Sequence, residues 1–241
     1  MSALKRILWA LLLALALLAI PRLSGWIAGL FDYRAVDPDG AFAWISVHHI
    51  AQALIVLFII FLIGRARPLD FGFTRGDAKA GRRYVLLFTA IFGAGSLVSH
   101  LITILTGSFQ PFPYPLTAAN VAGQMGFQLL LSGPSEELVF RAFAITVLSL
   151  FIRSRLLKGK VSAANLVAAA IFGLAHVNVS FAPFSVSYSL YQVAMSIVLG
   201  LFYGDCYEKT GSMRYPMMMH SISNIVMVGF TIIATLVLSP R

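Results

Sequence analysis

Three charged side chains lie close together in one of the most apolar parts of the chain. The stretch SGPSEELVFR, residues 132–141, contains Glu136, Glu137 and Arg141. Glu137 and Arg141 are four residues apart, so a helix would place them on one face, where they can pair, and would turn Glu136 about 100° away. The spacing predicts one neutralised carboxylate and one free carboxylate. A free carboxylate in an apolar site is suited to acid/base chemistry.

Two later motifs place further polar groups on apolar segments. In FGLAH, residues 172–176, Phe172 and His176 share a helix face, and in HSISN, residues 220–224, His220 and Asn224 do the same. A single histidine or asparagine inside a membrane more often links helices than catalyses a reaction. Counting residues along the helices puts these groups and Glu136 at similar depth, which favours one shared cavity.

The three charges of the first motif also have a purely structural interpretation. Glu137 and Arg141 would form a buried ion pair, and a protonated Glu136 would bond a neighbouring helix. From these residues alone the two interpretations are equally supported.

Composition identifies the elements that must position these groups. Of the 241 residues, 59% are hydrophobic and 11% are charged, and the mean hydropathy is +0.86. Such a chain is too apolar for a soluble domain and predicts an integral membrane protein, an all-α bundle of seven or eight spans. Seven stretches are long and apolar enough: 7–29, 41–63, 84–106, 117–152, 162–180, 187–205 and 216–238.

The fourth stretch is too long for a simple span. Pro134 lacks a backbone N–H and clashes with the preceding turn, so we expect one long helix that kinks where the charges begin. The chain is treated as a single membrane domain. Residues 1–116 form its three N-terminal spans, and residues 117–241 carry the motifs.

The net charge of +9 is explained by topology and does not predict a nucleic-acid partner. Most basic residues fall in alternate connections, with six between residues 65 and 83 and four between 153 and 160. The positive-inside rule then predicts a cytoplasmic N-terminus, and the membrane expected is a prokaryotic plasma (inner) membrane. Splitting residues 117–152 into two spans would separate these two basic clusters, which disfavours the split.

The three motifs, in this order, resemble the signature of the CPBP family. This family comprises the type II CAAX prenyl endopeptidases and the bacteriocin-processing or immunity proteins called Abi. The resemblance covers roughly residues 117–229, and it is carried by the motifs Glu136-Glu137-x-x-x-Arg141, Phe172-x-x-x-His176 and His220-x-x-x-Asn224.

The resemblance implies an intramembrane endopeptidase in which Glu136 and His176 activate a water molecule. His220 and Asn224 would stabilise the oxyanion. Around them, Glu137 and Arg141 would form a supporting ion pair and Phe172 would pack within its motif. The partners expected are the lipid bilayer and a peptide or protein substrate, prenylated or carrying a leader segment.

Metal dependence is open at this point. Glu136, His176 and His220 would be the ligands if zinc is used, because one glutamate and two histidines leave a fourth position open. The chain lacks an HExxH pair. The resemblance to the CAAX branch of the family implies metal-free, glutamate-dependent hydrolysis. No cofactor is therefore firmly predicted.

Two other functional classes remain as alternatives. A non-proteolytic membrane scaffold or immunity protein would use the same fold to bind a partner. A proton-coupled transporter is less expected, because transporters usually have repeated halves, and here the polar motifs are confined to the C-terminal half.

Overall fold

The computed structural model describes residues 3–181 and 183–238, and most of them are helical. Long helices form at both ends of the chain: α1 (Ala3–Ala28), α2 (Ala43–Ala66), α3 (Ala78–Leu105), α8 (Leu190–Thr210) and α9 (Arg214–Leu238). Among the described residues, four helices are long and apolar enough to cross a membrane: α1 from Ile7 onward, α2, α3 and α9. Their outer faces expose many large apolar side chains. The predicted helical membrane class is confirmed.

Short polar residues fix several helix ends. Asp77, Thr117, Ser162 and Ser189 each precede a helix, and each side chain accepts a hydrogen bond from a backbone N–H of the first turn. These bonds satisfy donors that have no partner inside the helix. Helix α8 ends at Thr210 and is followed by Gly211, whose φ of 65° is a left-handed conformation that glycine adopts without strain.

The fourth stretch forms one central helical run without a break from Ala118 to Phe151. It consists of α4 (Ala118–Phe127), α5 (Gly133–Glu137) and α6 (Ala144–Phe151), joined by π-helical segments at Gln128–Ser132 and Leu138–Phe143. The first π-helical segment comes just before Pro134. Because proline has no N–H to offer the carbonyl group of Leu130, the wider turn falls where the α-helical bond is missing. The kink expected at this position stays a prediction.

The chain departs from the expected helices after Phe151. A hairpin of β1 (Arg155–Leu156) and β2 (Val161–Ser162) is followed by α7 (Ala163–Leu174), and a second antiparallel hairpin pairs β3 (Asn178–Phe181) with β4 (Phe184–Ser187). Helix α7 has 12 residues and is therefore about 18 Å long at ~1.5 Å per residue. It covers only part of the stretch 162–180 and does not cross a bilayer core of about 30 Å by itself.

Close helix packing around the motifs depends on glycine. Helix α5 packs against α2 and α9, and a Cβ atom on Gly133 would come within 2.9 Å of the backbone nitrogen of Ser221. On α8, a Cβ on Gly200 would come within 3.2 Å of Ala169, and one on Gly204 would collide with Asn165. Side chains at these positions would push α5 away from α9 and α7 away from α8.

Candidate active site

Glu136 lies where α2, α5 and α9 meet, close to two imidazole rings. Its Oε1 is 3.9 Å from Nε2 of His49, and its Oε2 is 3.6 Å from Nε2 of His220. Both distances exceed those of hydrogen bonds, and within the described residues no hydrogen bond to this side chain is formed. The side chain is 17% exposed. Glu136 is therefore a sheltered carboxylate whose oxygens remain available to a further group.

Glu137, the next residue, is buried and engaged. Its Oε1 accepts a hydrogen bond of 2.8 Å from Nδ1 of His220 and lies 3.1 Å from Nη1 of Arg141. Its side chain has no exposed area, and that of Arg141 is 1% exposed. The contact expected from the four-residue spacing is present, but one carboxylate oxygen serves both the arginine and a histidine from another helix.

Aromatic rings surround the guanidinium group of Arg141. Its Cζ atom lies 4.5 Å from the ring centre of Phe172 and 5.3 Å from that of Tyr203. Neither Nη1 nor Nη2 has a hydrogen bond of good geometry within the described part of the chain. Because a buried cation without full hydrogen bonding is costly, the ring faces supply part of its stabilisation.

His220 lies between the two glutamates. Since a carboxylate can only accept, Nδ1 of His220 donates to Glu137. Its Nε2 faces Oε2 of Glu136 at 3.6 Å. The histidine thus links the engaged glutamate to the free one.

His176 lies in the turn after α7, although the sequence analysis placed it within a span. Its Nδ1 donates a hydrogen bond of 2.9 Å to the carbonyl oxygen of Phe172, and in the neutral ring this leaves the Nε2 lone pair free. The ring of Phe172 packs edge-on against His176 at 5.0 Å and lies 5.9 Å from His220. The four-residue motif therefore fixes the orientation of His176 through its backbone bond and its ring contact.

Asn224 joins α9 to the π-helical segment before α5. Its Nδ2 donates a hydrogen bond of 3.0 Å to Oγ of Ser132. One N–H of the amide is used in this bond, and the second remains for another acceptor. The side chain is only partly buried.

His49 belongs to none of the three sequence motifs, yet the structure places it beside Glu136. Its Nδ1 is 2.6 Å from Oγ of Ser135, which also accepts a hydrogen bond of 3.3 Å from Nε2 of Gln52. His49 and Gln52 are three residues apart and therefore share a face of α2. That three-residue spacing is a sign of a polar face that the sequence of α2 carries here.

The proposed zinc ligands do not form a metal site in this structure. Within residues 3–181 and 183–238, no three histidine, cysteine, aspartate or glutamate side chains are arranged to hold a metal ion. Nδ1 of His220 and Nδ1 of His176 bond to Glu137 and to a backbone carbonyl, and such bonds orient the rings while leaving Nε2 free.

Comparison with known proteins identifies the motif-bearing part of the chain. Residues 118–226 match the family model described as Type II CAAX prenyl endopeptidase Rce1-like. This range contains all three motifs and confirms the resemblance inferred from them. No curated protein and no solved structure matches the chain. The match and the apolar helices support, at the level of the family, a membrane-embedded protease that acts on a peptide or protein.

Proposed function

We propose that this protein, whose residues 118–226 match the Rce1-like type II CAAX prenyl endopeptidases, is an intramembrane endopeptidase that uses Glu136 and His176 to activate water. The observation that carries the proposal is the contrast between neighbouring glutamates. Glu137 is engaged by Arg141 and His220, whereas Glu136 forms no hydrogen bond within the described chain and is partly exposed. A free carboxylate bordered by imidazole rings is the arrangement that a general base requires.

In the proposed reaction, Glu136 takes a proton from a water molecule while the water oxygen attacks the peptide carbonyl carbon. The electron pair of the C=O bond moves to the oxygen and forms an oxyanion. When the C–N bond breaks, Glu136 returns the proton to the amine. The free Nε2 of His176 accepts a hydrogen bond from the same water and so orients it, because its Nδ1 is held by Phe172.

The oxyanion would be stabilised from α9. Protonated His220 can donate from Nε2, and Asn224 can donate its second amide N–H. Both groups are held in advance, by Glu137 and by Ser132 respectively. Donors that are oriented before the reaction stabilise developing charge without reorganising.

Glu137 and Arg141 have a supporting role in this proposal. They touch neither water nor substrate, and they keep α5 and His220 in position. His49 has a similar role on the other side of Glu136, where Ser135 and Gln52 fix its ring.

The finer topology also belongs to the proposal. We place seven or eight segments in a prokaryotic plasma membrane, with the N-terminus in the cytoplasm, because the basic connections alternate. Four helices meet the length and composition of a span among the described residues. In this arrangement the central helical run forms one membrane segment, and α7 brings Phe172 and His176 to the side of this run that carries Arg141. Residues 1–116 and 117–241 form a single membrane domain.

The substrate is proposed to be a membrane-associated peptide or protein, either prenylated near its C-terminus or carrying a leader segment. Cells with the wild-type protein and cells with Glu136→Gln would be compared by mass spectrometry of membrane and secreted peptides. We expect at least one defined cleavage to disappear in the variant. The control is Asp32→Asn, which removes an exposed carboxylate paired with Arg34 at the surface and should preserve all cleavages.

The purified protein provides a second test. Glu136→Gln and His176→Ala, both folded, should lower the turnover of a substrate identified in this way by roughly 100- to 10,000-fold, the usual contribution of general acid/base catalysis. Unchanged cleavage in both variants would refute the assignment. Identical peptide profiles in cells would instead support the scaffold or immunity alternative.

A further inference from the structure

A second site is suggested by a groove on the membrane-facing side of α3, away from Glu136. The groove has a volume of about 790 Å³ and runs between α3, α8 and α9. This volume is within the roughly 300–1,000 Å³ typical of ligand pockets. Its walls are formed mainly by Leu87, Phe88 and Ile91 of α3 and by Leu199 and Phe202 of α8. These side chains make the groove strongly apolar.

One end of the groove is basic. Lys79 and Arg83 line both the groove and an adjacent depression, which also includes Arg82. The three residues share one face of α3 and are exposed. Among the described residues, no carboxylate lies within ion-pair distance of their side chains. They form a cluster of three cations that makes no ion pair within the described part of the chain.

The acidic groups nearby are already engaged. Asp77 lines the same end, but its Oδ1 accepts hydrogen bonds from the backbone nitrogens of Lys79 and Ala80. Asp205 accepts hydrogen bonds from Tyr84 and Lys209. The three basic residues outnumber the one carboxylate at this end, so an anionic group that enters it meets a net positive charge.

The geometry points to a single anionic phospholipid as the occupant. We propose that its phosphate contacts Lys79, Arg82 and Arg83 and that an acyl chain lies along the apolar wall. From Lys79 to Phe92 the helix rises about 20 Å, so charge at one end and apolar surface beyond it match a lipid aligned with the bilayer. An acyl chain has no polar groups to satisfy along the apolar wall, whereas the backbone of an extended peptide would have N–H and C=O groups facing it.

The groove and the candidate active site are separate. On the groove side, the ring of Phe88 packs edge-on against Tyr203 at 5.6 Å. On the active-site side, the ring of His220 stacks on Tyr203 at 5.1 Å. Tyr203 has no exposed area and forms the partition between the two sites. The proposal therefore does not depend on the proteolytic activity.

The test uses the full-length protein in nanodiscs that contain equal amounts of phosphatidylglycerol and phosphatidylcholine with the same acyl chains. Native mass spectrometry after release of the protein measures which lipid remains bound. We expect retention of one phosphatidylglycerol molecule and no comparable retention of phosphatidylcholine. Excess inorganic phosphate should not displace it, because phosphate alone does not fill the apolar wall.

Variants distinguish a site from general attraction to positive charge. Lys79→Gln/Arg83→Gln should bind phosphatidylglycerol roughly thirtyfold more weakly, the loss expected for two basic residues near an anionic head group. The matched control Arg65→Gln/Arg67→Gln removes two charges outside the groove and should bind normally. Ile91→Trp adds bulk to the apolar wall and should also reduce retention.

Three results would overturn the proposal. Equal retention of the two lipids would show an annular layer without selectivity. An equal loss in both charge variants would show that net charge alone attracts the lipid. Unchanged retention in Ile91→Trp would show that the groove is not occupied.

Discussion

Glu136 and Glu137 are adjacent and chemically identical, yet the structure predicts opposite effects when each is changed to glutamine. Glu137→Gln removes the charge that compensates Arg141 and weakens the acceptor that holds His220. Glu136→Gln removes no hydrogen bond within the described part of the chain. We therefore expect the first variant to lose stability and the second to keep it while losing activity.

The magnitudes follow from burial. Arg141 is 1% exposed and would remain without a counter-ion in Glu137→Gln. Removing one partner of a buried pair typically costs about 3–5 kcal/mol in free energy of unfolding. In this variant His220 would donate its hydrogen bond to a neutral amide oxygen. This bond acts through the same side chain as the ion pair, so its weakening is already included in the range of about 3–5 kcal/mol. For Glu136→Gln we expect a change below about 1 kcal/mol, since the substitution conserves volume and leaves no new charge unpaired.

Unfolding in mixed micelles with increasing sodium dodecyl sulfate, followed by tryptophan fluorescence, would measure both free energies. Arg141→Met and the double variant Glu137→Gln/Arg141→Met complete a mutant cycle. The double variant should be less destabilised than the sum of the single variants, because removing both partners leaves no unpaired charge.

Two results would refute this reasoning. Glu137→Gln could unfold at the wild-type detergent fraction, which would show that the pair does not hold α5 in place. Alternatively, Glu136→Gln could lose as much stability as Glu137→Gln. Glu136 would then be a structural residue, as the purely structural interpretation of the first motif proposes.

Three further predictions concern positions around the site and at the start of α2. Gly133→Ala should cost about 1–3 kcal/mol in free energy of unfolding, because its Cβ would approach Ser221; wild-type stability would contradict the close packing. His49→Asn should lower turnover per folded molecule by up to roughly 100-fold, the cost of misplacing a catalytic group by about 1 Å; a loss of activity that only matches a loss of folded protein would indicate packing alone. Burial favours a higher pKa for Asp37, but hydrogen bonds from backbone N–H groups outweigh it and hold the pKa of this carboxyl below its ordinary value. Its stabilising effect is therefore complete above the ordinary pKa of about 4 and is lost as the pH falls through the lower, folded-state value; titrated unfolding of Asp37→Asn should lack this acid-dependent loss.

Local periodicity explains what the sequence could predict about the site. A four-residue spacing places two side chains on one helix face whatever surrounds the helix, so the contacts Glu137–Arg141 and Phe172–His176 follow from short-range geometry. Apolar composition likewise indicates helices in a membrane. The bilayer core offers no hydrogen-bond partners, so the backbone N–H and C=O groups of a single segment must bond to each other, as they do in a helix. The family match over residues 118–226 includes all three motifs, which are recognised from residue types and spacing alone.

Tertiary packing decided the remaining features. His49 and Ser135 are 86 positions apart, and no spacing in the sequence specifies that α2 brings them together. The position of His220 between Glu136 and Glu137 likewise depends on how closely Gly133 lets α5 approach α9. The apolar stretch 162–180 was long enough for a span, but only Ala163–Leu174 is helical, and a hairpin follows. Composition measures how apolar a segment is, whereas contacts with the rest of the chain determine where its helix ends and which groups face one another.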